Sequence, residues 1–199
     1  SAHAGNPDLI SLDLLQEKGW ITAGDVQLVG EESLPYARQQ CALSFYRYLE
    51  CTEGENTRQQ FQTFCAQQNY WLDDFALFSA LRAEFNDSSW NAWPVDLRKR
   101  NSKALAKIRI QLKTKIDAVL FEQFAFFSQW QALKHYANNK GISLFGDMPI
   151  FVGHDSADVW AQQHYFQLDE EGSPLTVAGV PPDYFSETGQ HWGNPHYDW

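Results

Sequence analysis

Basic side chains are scarce: 15 Lys and Arg face 25 Asp and Glu, a net charge of −10 at pH 7. No basic patch is available to neutralise phosphates, so a nucleic-acid partner is excluded. The main cationic cluster, Arg98 to Lys107, reads as the solvated face of a helix. Long apolar runs are also missing, which excludes a membrane span, and no signal peptide is visible. The three cysteines, Cys41, Cys51 and Cys65, are odd in number and lack C-x-x-C spacing. They fit a reduced protein and predict a cytoplasmic location. The six histidines form no H-x-x-x-H pair, so no metal is expected, although His191, His196 and Asp183 lie loosely spaced near one end. A glycine-rich phosphate loop and a G-x-S-x-G motif are absent; no cofactor is expected and serine chemistry has no support. Met148 is the only methionine, and the last residues, Asp198-Trp199, carry no terminating signal. These ends predict a piece of a longer protein.

Aromatic residues, by contrast, are plentiful at 15%, with eight Trp. Such side chains fill cores, but they are also the flat faces on which sugar rings and protein partners stack. The length predicts one domain with room for a sizeable core. Residues 1–35 read as a loop and short helices. Ser11 to Lys18 forms the first, closed by Gly19, and the capping-box pattern Thr22-Ala-Gly-Asp25 opens the second. Glu31 to Pro35 reads as a linker. Within 36–100, helical spacing predicts helices over Tyr36 to Glu50, Thr57 to Gln68 and Leu72 to Phe85, the last two joined by Asn69 to Asp74. Asn86 to Pro94 ends the pair. Residues 101–140 hold neither Gly nor Pro, predicting two successive helices or one kinked near Lys113 to Asp117.

The chain states its chemistry in 141–199. Gly141 ends the helical pattern, and the apolar run Ile142 to Phe145 reads as a buried parallel strand. Asp147 then places a carboxylate at that strand's C-terminal end, where α/β folds gather ligand-binding groups. Its two readings are a substrate contact or a structural acid tied to backbone. Asp155 and Asp158 precede Trp160 and read as acids complementing a helix dipole. Phe166 to Leu168 and Leu175 to Val177 can pair as a small hairpin across Asp169 to Gly172. Beyond it, Asp183 and Glu187 stand four residues apart, and paired carboxylates are the equipment of glycoside chemistry. Tyr184, Phe185 and Trp192 offer faces for pyranose rings, with Gln190 and Asn194 offering amides to hydroxyls. The alternative is that these aromatics only pin the loop to its own core.

The segments Gly146-Asp-Met-Pro-Ile-Phe-Val152, Asp155-Ser-Ala-Asp-Val-Trp160 and Gly179-Val-Pro-Pro-Asp-Tyr-Phe-Ser-Glu-Thr-Gly-Gln-His-Trp-Gly-Asn-Pro195 resemble the 4-α-glucanotransferases (amylomaltases) of the α-amylase-like superfamily. Weaker matches are Ala4 to Leu12, Trp71 to Phe78 and Phe126 to Lys134. The resemblance implies an α/β class: the helix-rich middle portion of a TIM (β/α)8 barrel, incomplete in this chain, with 36–100 as an inserted helical subdomain. Ile142 to Phe145 would be its third strand, Phe121 to Asn139 the helix outside it, and 141–199 would add a substrate-covering loop. It implies an α-1,4-glucan or maltooligosaccharide substrate, contacted by Asp147, Asp183, Tyr184, Phe185, Glu187, Trp192 and Asn194. The family's nucleophile and acid/base carboxylates are expected on later strands, outside this chain. A non-catalytic carbohydrate-binding or scaffolding module is the competing reading. A lone barrel strand has unpaired edges, which predicts self-association of this piece and no glucosyl transfer by it alone.

Overall fold

The computed structural model describes residues 2–31 and 33–199. Eight α-helices and two strands form among them: α1 (Leu12–Glu17), α2 (Ala23–Glu31), α3 (Leu34–Glu50), α4 (Glu55–Glu84), α5 (Val95–Arg98), α6 (Ser102–Gln111), α7 (Lys113–Asn139), α8 (Ala157–Ala161), β1 (Val177–Val180) and β2 (Gln190–Pro195). They sort into two compact units, His3–Ala76 with Leu112–Gly146, and Ala2 with Leu77–Gln111 and Asp147–Trp199. These units cut across the four consecutive stretches into which the sequence divides. Ser1 of the expected first loop and Glu32 of the expected linker lie outside the described residues.

In the first, helical unit, α1 is capped by Ser11, whose hydroxyl accepts from the Leu14 amide at 3.4 Å, and the chain leaves it through Gly19 at φ +70°. The expected box opens α2: the Thr22 amide and hydroxyl donate to the Asp25 carboxylate at 2.8 and 2.7 Å, and the Asp25 amide donates back to the hydroxyl. Pro35 sits in the first turn of α3, where its missing N–H costs nothing. The two tandem helices of the sequence reading are one 30-residue helix, α4. Its supposed joint, Asn69 to Asp74, has no Gly or Pro. Trp71 and Leu72 bury there, and the Trp71 Nε1 donates to Gln68 at 2.8 Å, so packing holds an indifferent sequence helical. The expected break between α6 and α7 falls at the buried Leu112.

Phe45 is the centre of this core and is fully buried. Its ring lies 5.2 Å from Trp20, 5.5 Å from Phe61, 4.7 Å from Phe121 and 5.8 Å from Phe124, joining α2's approach, α3, α4 and α7. The segment before α1 forms only one short 3-10 turn, Pro7–Leu9, and α7 satisfies backbone groups on either side of it with side-chain amides. Gln123, 1% exposed, accepts from the Gly5 amide at 2.8 Å and donates to the Gly5 carbonyl at 3.0 Å. Gln129 does the same for Ser11, at 2.9 Å in both directions. Gly5 lies so close to α7 that an added Cβ would stand 1.9 Å from Phe126.

Beside that clamp, Arg38 pairs with Asp8 at 2.6 Å and with Glu122 at 3.3 Å. Burial pushes the Glu122 carboxyl from the ordinary 4.5 up to about 7; Arg38 opposes this and Asp8 adds to it. Burial likewise raises the Cys41 and Cys65 thiols to about 11.

The second unit is organised on tryptophan. The Trp93 ring lies tilted 5.4 Å from Phe78 and edge-on 5.8 Å from Trp160. Trp90 Nε1 donates to the His154 carbonyl at 2.8 Å, and Trp160 Nε1 to the Leu97 carbonyl at 3.1 Å. Gly172, at φ +79°, packs flat on Trp90, where a Cβ would come within 2.4 Å of the ring. Asp155 works structurally, bonding the Trp90 amide at 3.3 Å and pairing with Arg82 at 3.4 Å. The cationic cluster is only partly a solvated face. Lys99, Lys103 and Lys107 are exposed, but Arg98 donates to the Asn91 carbonyl at 3.2 Å and Arg100 lies 4.2 Å over the Trp160 ring.

One strand expectation is corrected and one is narrowed. Ile142 to Phe145 forms no strand, and Phe145 is fully exposed, because no described strand lies alongside to take its backbone bonds. The hairpin across Asp169 to Gly172 forms in shortened form: the Leu175 amide donates to the Gln167 carbonyl and the Asp169 amide to the Ser173 carbonyl, both at 2.9 Å, about a bridge at Leu168 and Pro174, while Val177 pairs with Pro195 instead.

Two measurements test this packing. Gln123→Ala strands both Gly5 backbone groups and should cost about 2–4 kcal/mol in urea unfolding, more than Gln129→Ala at the half-buried Ser11 clamp. Equal losses would show that the clamp is not what holds the segment. Because native Glu122 holds its proton up to about pH 7, stability should fall as pH rises from 4.5 to 7 and level off above. The full drop is on the order of 3 kcal/mol. Glu122→Gln should flatten that slope; an unchanged slope would assign it to other groups.

Candidate functional site

The loop that the sequence singles out is carried by an antiparallel hairpin of β1 and β2. Gly179 faces His191 and Val180 faces Gln190, but the next partners are Val177 and Pro195. Ala178 alone therefore opposes Trp192, Gly193 and Asn194, and this bulge turns the strand through Gly193 at φ +77°. The strands close tightly at the loop end, where a Cβ on Gly179 would meet the Gln190 carbonyl at 2.5 Å.

At the tip, Asp183 folds the loop on itself. Its Oδ1 accepts from the amides of Phe185 at 2.9 Å and Ser186 at 2.8 Å, and its own amide donates to the Ser186 carbonyl. Ser186 Oγ donates to the Gly189 carbonyl at 2.8 Å, and Gly189 takes φ +73° against Val180. This knot leaves Tyr184 and Phe185 97% and 90% exposed, edge to face at 5.7 Å. Glu187 is exposed beside them. Trp192 is 55% exposed and donates its Nε1 to Gln190 at 3.0 Å.

The hairpin's base is tied to the segment after Asp147. Asn194 Nδ2 donates to the Val152 carbonyl at 2.9 Å, the Tyr197 hydroxyl to the Ile150 carbonyl at 2.9 Å, and Phe151 stacks on Tyr197 at 5.9 Å. Asp147 is exposed and lies three residues before Ile150, within about 10 Å of extended chain. Asp158 opens α8 beneath its Ser156 cap and accepts from the Ala2 amide at 3.2 Å.

The residues singled out from sequence therefore divide. Tyr184, Phe185, Glu187, Trp192 and Asp147 face solvent, whereas Asp183, also exposed, uses Oδ1 to fold the loop tip and Asn194 uses Nδ2 to tie the hairpin to Val152. Sequence reasoning missed β1, β2 and the bulge; the glycines at 179, 189 and 193 were the available signal.

The whole chain, residues 1–199, matches the family model described as 4-alpha-glucanotransferase. Among curated relatives, the 4-alpha-glucanotransferase of Thermus thermophilus is 48% identical over all of this chain and 41% of its own length. That of Clostridium butyricum is 40% identical over all of this chain and 42% of its own. The chain thus spans about two fifths of the length of these relatives. Of solved structures, the amylomaltase from Streptococcus agalactiae in complex with acarbose superposes over the full chain and 41% of its own, with TM-score 0.86 and 36% identity. This chain belongs to the 4-alpha-glucanotransferase family.

Proposed function

We propose that this chain supplies part of the glucan-gripping surface of a 4-α-glucanotransferase, which moves α-1,4-glucan segments between maltooligosaccharides. The observation that carries the reading is the pair Tyr184 and Phe185, held out by the Asp183 knot with almost their whole surface in solvent. A protein leaves large aromatic faces exposed on a braced turn when something is to be stacked there. The acarbose bound to the related amylomaltase supports a sugar as that partner.

In this reading the reaction is a retaining double displacement. A carboxylate outside this chain forms a glycosyl-enzyme intermediate, and either water or a sugar hydroxyl then attacks it. Tyr184, Phe185 and Trp192 stack the acceptor sugar and keep water away, which favours transfer. Asp147 hydrogen-bonds the sugar next to the bond being cleaved, and Glu187 meets hydroxyls at the loop tip. Asp183 and Asn194 act one step back: the first shapes the tip, the second fixes the hairpin to Val152. Ile142 to Phe145, unpaired in this chain, becomes the third strand of a (β/α)8 barrel once strands from outside the chain lie alongside, and helices of 36–100 form an inserted subdomain. The bare apolar surface at Ile142 and Phe145 supports that placement, because it needs covering strands.

Two experiments test the reading. Titration of the 199-residue chain with maltoheptaose should perturb its tryptophan fluorescence. Trp192→Ala should weaken binding about fivefold, and Asp147→Asn, which removes a charged acceptor, about tenfold or more. Affinity equal to the parent in both variants would remove the sugar site from this face. Asp183→Asn keeps an oxygen for the Phe185 and Ser186 amides and should retain most binding, while Asp183→Ala should lose it along with exchange protection at those amides. Equal loss in both would mean that the carboxylate itself contacts the sugar.

A further inference from the structure

A second surface in the helical unit has the chemistry of a sugar cradle. Between α4 and α7 runs an open groove of about 460 Å³, lined by Asn56 to Gln68 of the one and Phe124 to Gln131 of the other. The helices meet across it through phenyl rings: Phe64 lies 5.7 Å from both Phe124 and Phe127, and Phe127 lies 6.1 Å from Trp71. Above this floor the rim is amide. Gln60 and Gln67 stand seven residues apart on α4, flanking Phe64 on the same face, and Gln131 stands four beyond Phe127 on α7.

Charge is what separates this groove from an ordinary helix contact. Helix interfaces are usually rimmed by lysine and glutamate, whose stems cover the apolar seam. Here none of the described residues lining the groove is ionisable, in a chain where 20% of residues are charged, and Lys18 reaches it only at the Ser128 edge. Gln68 is engaged by Trp71, and Ser128 by Lys18 reaching in at 3.1 Å. Gln60, Gln67 and Gln131 are exposed, and their amides make no described hydrogen bond within the protein.

A row of free amides over phenyl faces, its lining uncharged and Lys18 held at one edge, favours a neutral ligand that is apolar on one side and dense in hydroxyls on its edges. Each amide offers a donor and an acceptor side by side, which matches neighbouring hydroxyls on one sugar ring. The α4 stretch from Asn56 to Gln68 rises about 18 Å, long enough for several rings in sequence. We propose that this groove is an accessory binding site for an α-1,4-glucan chain, separate from the Tyr184 loop. The choice of α-1,4-glucan rests on the function proposed above.

The test is a titration of the isotope-labelled full chain with maltoheptaose, followed by NMR at the side-chain amides of Gln60, Gln67 and Gln131 and, separately, at the backbone of the Tyr184 loop. The β-1,4-linked cellohexaose is the control. Maltoheptaose should shift the groove amides, and Gln67→Ala with Gln131→Ala should weaken that binding about tenfold while the loop shifts persist. Both residues are exposed, so the double variant should fold, which its amide spectrum would verify. Trp192→Ala should do the reverse, sparing the groove. Groove amides that do not move, or a Gln60 amide that moves unchanged in the double variant, overturn the inference even if the loop binds sugar. Equal response to cellohexaose overturns the α-1,4 assignment. Loss of loop shifts alone would strike the proposed function and leave the groove standing.

Discussion

Backbone groups that find no helix or strand must still be satisfied, and in this chain side chains do it. Most of the segment before α1 and of 141–176 is irregular, yet it is not loose. Gln123 and Gln129 each present a donor and an acceptor to one residue, imitating a strand neighbour for Gly5 and Ser11. In the other unit the indoles of Trp90 and Trp160, the amides of Gln163 and Asn194 and the Tyr197 hydroxyl all donate to carbonyls distant in sequence. Each such bond contributes little on its own, but removing it from a buried carbonyl exposes the full desolvation cost. The positions of the candidate site residues depend on this stitching more than on any sheet.

The surplus of tryptophan resolves along the same line. Trp20, Trp71, Trp90, Trp93 and Trp160 are buried; four of these donate Nε1, and Trp20 stacks on Phe124 at 5.1 Å. Trp130, Trp192 and Trp199 face solvent. Composition alone supports both roles for an aromatic residue, core filler or binding face. What separates them is local: the buried indoles sit on helices or beside helix ends, whereas Trp192 sits on a bulged strand behind a glycine-rich turn.

Helices were largely legible, because their signals are short-range. The Thr22 to Asp25 box, the Gly19 stop and the weak point at Leu112 each involve neighbours within a turn or two. The joint within α4 was misread because its continuity comes from burial of Trp71 and Leu72, which no local pattern records. The strand over Ile142 to Phe145 was read from apolarity alone, and a strand exists only with a partner. At the site, the motif Pro181 to Gly189 marked the right loop and its exposed aromatics. It gave no sign that Asn194 would donate to Val152, since hydrogen-bond partners 42 residues apart leave no imprint on spacing; the turn of Asp183 onto Phe185 and Ser186 is local and went unread.

In an unbroken strand Trp192 and Asn194, two residues apart, would project from one face. Here Asn194 turns inward to Val152 while Trp192 looks out, and the residue between them makes the difference. Nothing stands within 4 Å of where a Gly193 side chain would be, so space does not demand a glycine; its φ of +77° does. The heading of the indole is thus written in a neighbour's torsion. A family of this fold could re-aim its aromatic face by changing one residue that never touches a ligand.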